Sequence, residues 1–389
     1  MNIASLLPRP VVAAAGRLAT WRDERLADPR HSDRVAATLG ALLGVSFLVC
    51  FLTGLLSHLI QQPPTWFSWP ARPAGLYGIT QGLHVATGIA TVPLLFAKLW
   101  SVFPRLFRWP LADNALHAVE RLSLLPLIGG SLFMLVTGVA NIELWYPWLF
   151  FFPSGHYAVS FVVMGAMVIH LAAKWATARR VLRRDRTESR ASAVGRRRFL
   201  VAVGSISGAL VVATVGQTVS PLRRLSLLAP RRPDIGAQGF PVNKTAAEAG
   251  VTDGAQDPEY RLEVVRDGET VRAFTLADLA TLPRRTATLP IACVEGWSAS
   301  QTWTGVSVRD ILDAAGIESA TVGVESMQRG GRYRRSVLEP GQVDDRDTML
   351  ATHVGGEPLH VDHGYPLRLI APNRPGVLQT KWVVMLVVS

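Results

Sequence analysis

Two kinds of residue in this 389-residue chain are placed where they could do chemistry: histidines in long apolar runs, and one cysteine in the polar half. The apolar runs cover residues 35–60, 77–103, 118–142, 157–175 and 199–216, most of them long enough to cross a bilayer as helices. Six of the nine histidines lie in or near these runs: His31, His58, His84, His117, His156 and His170. A ligating side chain at membrane depth is costly, so it points to function. His156 and His170 are the informative pair. Fourteen residues at 100° each return to within about 40° of the starting face and rise roughly 21 Å. Both imidazoles then face one way, one near each side of a bilayer, which suits two stacked b-type haems. His84, about 10 Å into the second run, is one outer partner for His156, and His58 is the alternative. A hydrogen bond to a neighbouring helix is the plainer role for a lone imidazole, and His31 and His117 read as interfacial residues.

Of the two cysteines, Cys50 sits in an apolar run and reads as a small hydrophobe. Cys293 is then the single thiol of the polar half, which excludes a disulfide framework there. The net charge of +11 is unevenly divided. Residues 1–230 hold 23 Lys and Arg against 9 Asp and Glu, whereas residues 231–389 hold 17 against 20. The basic excess therefore belongs to the apolar half, where it sets orientation, and no nucleic-acid partner is expected.

Short loops carry that orientation signal. Residues 1–34 hold six Arg, segment 104–121 holds Arg105, Arg108 and Arg121, and segment 174–198 holds ten basic residues. The loop at 61–76 has only Arg72, and the loop at 143–156 has no Lys or Arg but is rich in Trp, Tyr and Phe. The alternation places the N-terminus, 104–121 and 174–198 in the cytoplasm. Four spans return the chain inside, and a fifth must carry the polar half out. That fifth span opens on Arg196-Arg197-Arg198-Phe199-Leu200, which resembles an internal twin-arginine export signal and implies that machinery as a partner. An ordinary positive-inside flank is the alternative. No clear A-x-A site follows, so the span is expected to stay as an anchor.

From residue 231 the chain reads as a strand-rich α+β domain. Alternation around Asp267-Gly268 predicts a hairpin, further strands are expected at 287–292, 319–326, 365–371 and 382–388, and helices at 276–282 and 307–315. No phosphate-cradling glycine loop is present, and His353, His360 and His363 lack the C-x-x-C partners of a zinc site. The expected organisation is a cytoplasmic segment (1–34), a four-helix transmembrane bundle (35–180), a basic linker with the fifth span (181–230) and the soluble domain (231–389).

Two resemblances follow. "GLHVATGIATVPLLFAKLW" and "GHYAVSFVVMGAMVIHLAAKW" resemble the four-helix cytochrome b subunits of formate dehydrogenases and hydrogenases. That family carries a further ligand on its first helix, and "RVAATLGALLG" has no histidine, so the outer haem is expected and the inner one lacks a ligand. "FPVNKTAAEAG", "IACVEGWSASQTWTGVSVRDIL" and "HGYPLRLIAPNRPGVLQTKWV" resemble the sulfite oxidase family of molybdopterin enzymes, which includes methionine-sulfoxide reductase catalytic subunits. The resemblance covers about residues 238–389. It implies that Cys293 binds molybdenum, a role suited to a soft thiolate. It also implies that Arg368 and Lys381 hold the anionic tail of the pterin, with Asn243, His363, Gly376 and Thr380 as further contacts. Trp297 and Trp303 either wall the pocket or pack in the core. "SMQRGGRYRRS" departs from the family pattern, and its Arg329, Arg332, Arg334 and Arg335 either attract an oxyanion or form an exposed basic loop.

Together these imply a multi-pass membrane oxidoreductase with an extracytoplasmic molybdopterin domain, acting by oxygen-atom transfer on a small oxyanion or sulfoxide. Haem b would exchange the electrons with membrane quinone or quinol. The family's carboxy-terminal dimerisation domain does not follow Ser389, which inclines the reading to a sulfoxide reductase. The alternatives are a sulfite-type dehydrogenase feeding quinone, and a non-catalytic haem protein with a degenerate cofactor module.

Overall fold

A computed structural model describes residues 31–106, 115–183, 190–318 and 320–389. Most of the basic N-terminal segment, together with Arg108, Arg184 and Arg186, lies outside the described residues. Five long helices come first: α1 (Asp33–Gln61), α2 (Leu76–Leu106), α3 (Ala115–Ile142), α4 (Phe152–Arg183) and α5 (Arg190–Val215). All five are long and apolar enough to cross a membrane. Large apolar side chains such as Val45, Leu52, Leu125 and Val136 face outward from them, which is stable against lipid tails and not against water.

The described residues form two compact units. One takes the chain as far as Gly54 and then Leu83 to Thr214. Within it, small polar side chains tie helix to helix, as expected where lipid removes the hydrophobic drive between helices. Ser46 Oγ lies 3.0 Å from Thr91 Oγ1, and Ser207 Oγ donates to the Ala90 carbonyl at 3.1 Å. α3 and α4 pack so closely that a Cβ on Gly130 would lie 2.6 Å from Val163.

The second unit takes Leu55–Gly82 and Val215–Ser389. It holds ten strands: β1 (Arg261–Arg266), β2 (Glu269–Thr275), β3 (Arg284–Ala292), β4 (Ser298–Ser307), β5 (Val322–Ser326), β6 (Arg335–Leu338), β7 (Met349–Val354), β8 (Glu357–Pro358), β9 (Arg368–Ile370) and β10 (Val383–Val388). One sheet runs β2-β1-β10-β5-β6, the other β3-β4-β7-β8 with β9 on β7. β1 and β10 are parallel, and every other pairing is antiparallel. The expected hairpin is present, with Asp267 and Gly268 both at positive φ, as its tight turn demands. The expected helices fall at Leu276–Thr281 and Val308–Ala314. β4, β6, β7 and the two-residue β8 were not anticipated. β4 reads as polar because its threonines pair across one face, Thr304 with Thr286 and Thr302 with Thr288, while Trp303 points into the core. At Gly305 the partner strand comes so close that a Cβ would lie 2.1 Å from the Leu350 carbonyl. Gly305→Ala should therefore destabilise the domain by about 3 kcal/mol, read as a lowered unfolding midpoint. An unchanged midpoint would mean that β4 and β7 do not pair in this register.

Candidate active site

β3 ends at Ala292 and delivers Cys293 into a tight turn. The Cys293 amide donates to the Trp297 carbonyl at 2.8 Å, the Gly296 amide donates to the Cys293 carbonyl at 3.1 Å, and Gly296 supplies the positive φ that closes the turn. The thiol is 3% exposed, but what lies over it is the exposed side chain of Asn243. Asn243 Nδ2 donates to Cys293 Sγ at 3.1 Å and to Glu295 Oε1 at 3.1 Å. The other carboxylate oxygen of Glu295 accepts from Trp297 Nε1 at 3.0 Å and from Arg231 Nε at 3.3 Å. The thiol is packed with Ile291 and Trp297 on the core side and hydrogen-bonded by Asn243, an exposed residue. Burial, then the nearby Glu295, pushes the Cys293 thiol well up, and burial raises Glu295 itself.

A second group of side chains is cationic. Arg368, which opens β9, is 6% exposed, and its Nη1 donates to the His363 carbonyl at 3.0 Å. Its Nε has no partner, and its guanidinium lies 5.6 Å from the centre of the Trp303 ring. Lys381 Nζ donates only to backbone carbonyls, those of Lys244 and Asp362. Gly364, at φ +113°, lets these two residues approach: a Cβ there would lie 3.1 Å from Lys381 and 3.2 Å from Arg368. His363 stacks on Phe240 with centroids 3.6 Å apart, and its Nε2 lies 2.6 Å from the Ala237 carbonyl. Arg374 is also buried, with Nη1 on the Val337 carbonyl and Gln342 Oε1 and Nε without a partner.

Burial lowers Arg368 and Arg374 to about 10, and burial followed by Arg368 lowers Lys381 to about 7. Burial and Arg368 together hold His363 at about 3, so this imidazole is neutral at pH 7. Among the described residues no carboxylate forms an ion pair with Arg368, Arg374 or Lys381. Buried cations with no carboxylate at ion-pair distance are unfavourable, and a bound anion would relieve that cost; Asp362 and Glu248 act on Lys381, and Glu339 on Arg374, from further away. The thiol and the cations are neighbours by construction, since Asn243 contacts Cys293 while the next carbonyl, that of Lys244, accepts from Lys381.

The comparisons with known proteins agree with this chemistry. Residues 249–389 match the family model described as "Oxidoreductase molybdopterin binding domain". An inducible NADH nitrate reductase of Glycine max is 34% identical over 102 residues, 23% of this chain and 12% of that enzyme. Sulfite oxidases of Drosophila melanogaster and Arabidopsis thaliana are 28% and 25% identical, over 34% and 29% of this chain. The chain spans 27% and 37% of their lengths. The crystal structure of the sulfane dehydrogenase SoxCD from Paracoccus pantotrophus matches at 25% identity and a TM-score of 0.30, over 34% of this chain and 38% of that one.

Residues 249–389 are a molybdopterin-binding oxidoreductase domain of the sulfite oxidase type.

The residues of this molybdopterin domain fit the cofactor on their own chemistry. The unpaired cations match an anionic phosphate tail, and the single thiol matches a soft metal. Sequence reasoning named Cys293, Asn243, His363, Arg368 and Lys381, and the fold brings all five into linked contacts. Gly376 lies against the Cys293 strand, where a Cβ would meet Ile291 at 3.2 Å and the Ala292 carbonyl at 3.3 Å. The Thr380 hydroxyl lies 2.8 Å from Ser336 Oγ, and the Thr380 carbonyl accepts from the Leu369 amide at 2.8 Å. Trp303 is core and the platform for Arg368, and Trp297 holds Glu295. Glu295 and Arg374 were missed, although Glu295 shares the Cys293 motif and Arg374 the H-G-Y-P segment.

In the helical unit His84 and His156 come together with ring centroids 6.4 Å apart. His170 is on α4, its Nδ1 buried without a hydrogen-bond partner, and it makes no ring contact with another histidine among the described residues. His58 ends α1, in the other unit.

Arg368→Gln and Lys381→Met should each lower molybdenum per purified chain about ten-fold or more, since each deletes a charge-assisted contact. Exposed Arg266→Gln should leave it unchanged. Full molybdenum in both cluster variants would refute an anion-binding role.

Proposed function

We propose that the chain is a membrane-anchored, extracytoplasmic molybdopterin oxidoreductase that transfers an oxygen atom to or from a small sulfoxide or oxyanion. Haem b exchanges the electrons with membrane quinone. The observation that carries the enzymatic part is the pairing of one covered thiol with two buried cations, Arg368 and Lys381, that form no ion pair with a carboxylate among the described residues. Bound through Cys293, the cofactor would supply two-electron oxygen-atom chemistry. The chain's own residues do the rest. Arg368 and Lys381 hold the anionic tail, and His363, neutral and stacked on Phe240, offers a flat polar edge. Asn243 hydrogen-bonds the sulfur and Glu295 fixes Asn243 and Trp297. Asn243 must swing aside for the thiol to reach a metal, and its exposure permits that.

The haem assignment rests on His84 and His156. If a haem is bound, these two imidazoles are the side chains that would hold its iron, which would supply one-electron transfer. Their ring centroids are 6.4 Å apart. Each Nδ1 is already engaged: that of His84 on the Cys50 carbonyl at 2.8 Å, that of His156 near Thr137 Oγ1 at 3.3 Å. Such bonds orient a ligating imidazole and leave Nε2 for the iron. Gly54 gives His84 room, as a Cβ there would lie 2.8 Å from its ring. His84 thus serves as the outer partner, in preference to His58. His170 is the remaining candidate for a second iron. The charge alternation of the loops and the Arg196-Arg197-Arg198-Phe199-Leu200 entry support export of the molybdopterin domain by a twin-arginine system.

In dithionite-reduced protein, His84→Ala and His156→Ala should each abolish the outer low-spin haem spectrum while leaving molybdenum bound. Cys293→Ser should keep the haem and lose turnover. Reoxidation of reduced haem by sulfoxides marks a reductase, and reduction of oxidised haem by sulfite marks a dehydrogenase. A Cys293→Ser protein with full turnover would overturn the proposal.

A further inference from the structure

The cofactor-binding unit includes a piece of chain from outside the family match, Leu55–Gly82. Asn373 shows what that piece does. It is 1% exposed, lies at φ +56°, and immediately precedes Arg374 and the Pro375-Gly376 turn that faces the Cys293 strand. All four of its polar contacts come from residues 69–77. Its carbonyl accepts from Trp69 Nε1 at 2.9 Å, and its amide donates to the Ala74 carbonyl at 3.1 Å. Its Oδ1 accepts from the Tyr77 amide at 2.7 Å, and its Nδ2 donates to the Pro70 carbonyl at 2.7 Å. Without this segment the loop would hold a buried asparagine with every polar group orphaned, which folded domains avoid.

The same segment reaches the thiol turn. Gln81, 6% exposed, donates from Nε2 to the Val294 carbonyl at 2.7 Å. Tyr77 packs with Ala292 and Ile60, and a Cβ on Gly78 would lie 3.5 Å from both the Ala292 methyl and Ser298 Oγ. Ala292 and Pro375 form a parallel bridge, so the two turns that flank the cofactor touch each other and share one external support.

We propose that residues 69–81 are a positioning element of the cofactor site: Asn373 and Gln81 let this segment hold the Pro375-Gly376 turn and the Cys293–Trp297 turn in register. The inference rests on the molybdopterin reading for its purpose, but not for its test. Gln81 and Asn373 are positioning residues, for the side chain of neither contacts the thiol or the charged groups of Arg368 and Lys381.

The test uses the full chain in detergent, prepared from a host that makes no pterin cofactor, with iodoacetamide labelling of Cys293 followed by peptide mass spectrometry. Gln81→Leu and Gln81→Met keep the side chain's bulk and remove its donor. Each should label Cys293 about ten-fold faster than the parent, while amide exchange across Val383–Val388 is unchanged. Arg266→Gln changes an exposed charge on β1, outside the segment, and should change labelling by less than about two-fold. Parental labelling in both Gln81 variants would overturn the proposal, and so would an equal rise in Arg266→Gln. Loss of Val383–Val388 protection in both Gln81 variants would also overturn it, by making the segment a general support of the fold. Failure of the metal assignment would show separately, as a cofactor-competent preparation without molybdenum.

Discussion

The cost of burying positive charge governs this molecule. Arg368, Arg374 and Lys381 are withdrawn from water and hydrogen-bonded to carbonyls and an amide oxygen, with aromatic faces beside Arg368 and Lys381 and the carboxylates of Asp362, Glu248 and Glu339 beyond ion-pair distance. Hydrogen bonds to neutral groups relieve part of that cost, and a formal anion would relieve far more. The neighbouring architecture follows from the same need. Gly364 draws Arg368 and Lys381 together, Trp303 presents its face to Arg368, and Lys381 anchors the loop of Asn243 that covers the thiol.

The helical unit poses the same problem with imidazole in place of guanidinium. An apolar bundle tolerates a histidine when both ring nitrogens have work. Cys50 and Thr137 occupy one nitrogen on each of His84 and His156, whose rings lie 6.4 Å apart, and the haem proposal rests on that spacing. On α4 the turn period carries a second histidine, His170, to a depth where no imidazole faces it among the described residues.

How much of this was legible in the sequence depended on distance along the chain. Cys293 with its Gly296 turn is a local motif, and the five apolar runs are local too, so both read directly. His363, Arg368 and Lys381 fall within twenty residues and were also readable. β4 was not, because its hydroxyl-bearing face hides the alternation that buries Trp303. The clasp on Asn373 was invisible in principle: its partners stand about 300 residues earlier, in a loop whose composition suggests only a connection between spans. Glu295 was passed over because a carboxylate beside a thiol read as a metal ligand looks unfavourable until Asn243, Trp297 and Arg231 are seen to satisfy it.

The central claim, that the sulfur of residue 293 is bonded to molybdenum, is open to direct measurement. X-ray absorption at the molybdenum edge counts the sulfur neighbours of the metal in the parent protein and in Cys293→Ser. The parent should show one sulfur more than the variant, replaced there by a lighter neighbour. An identical sulfur shell in the two proteins would contradict the account.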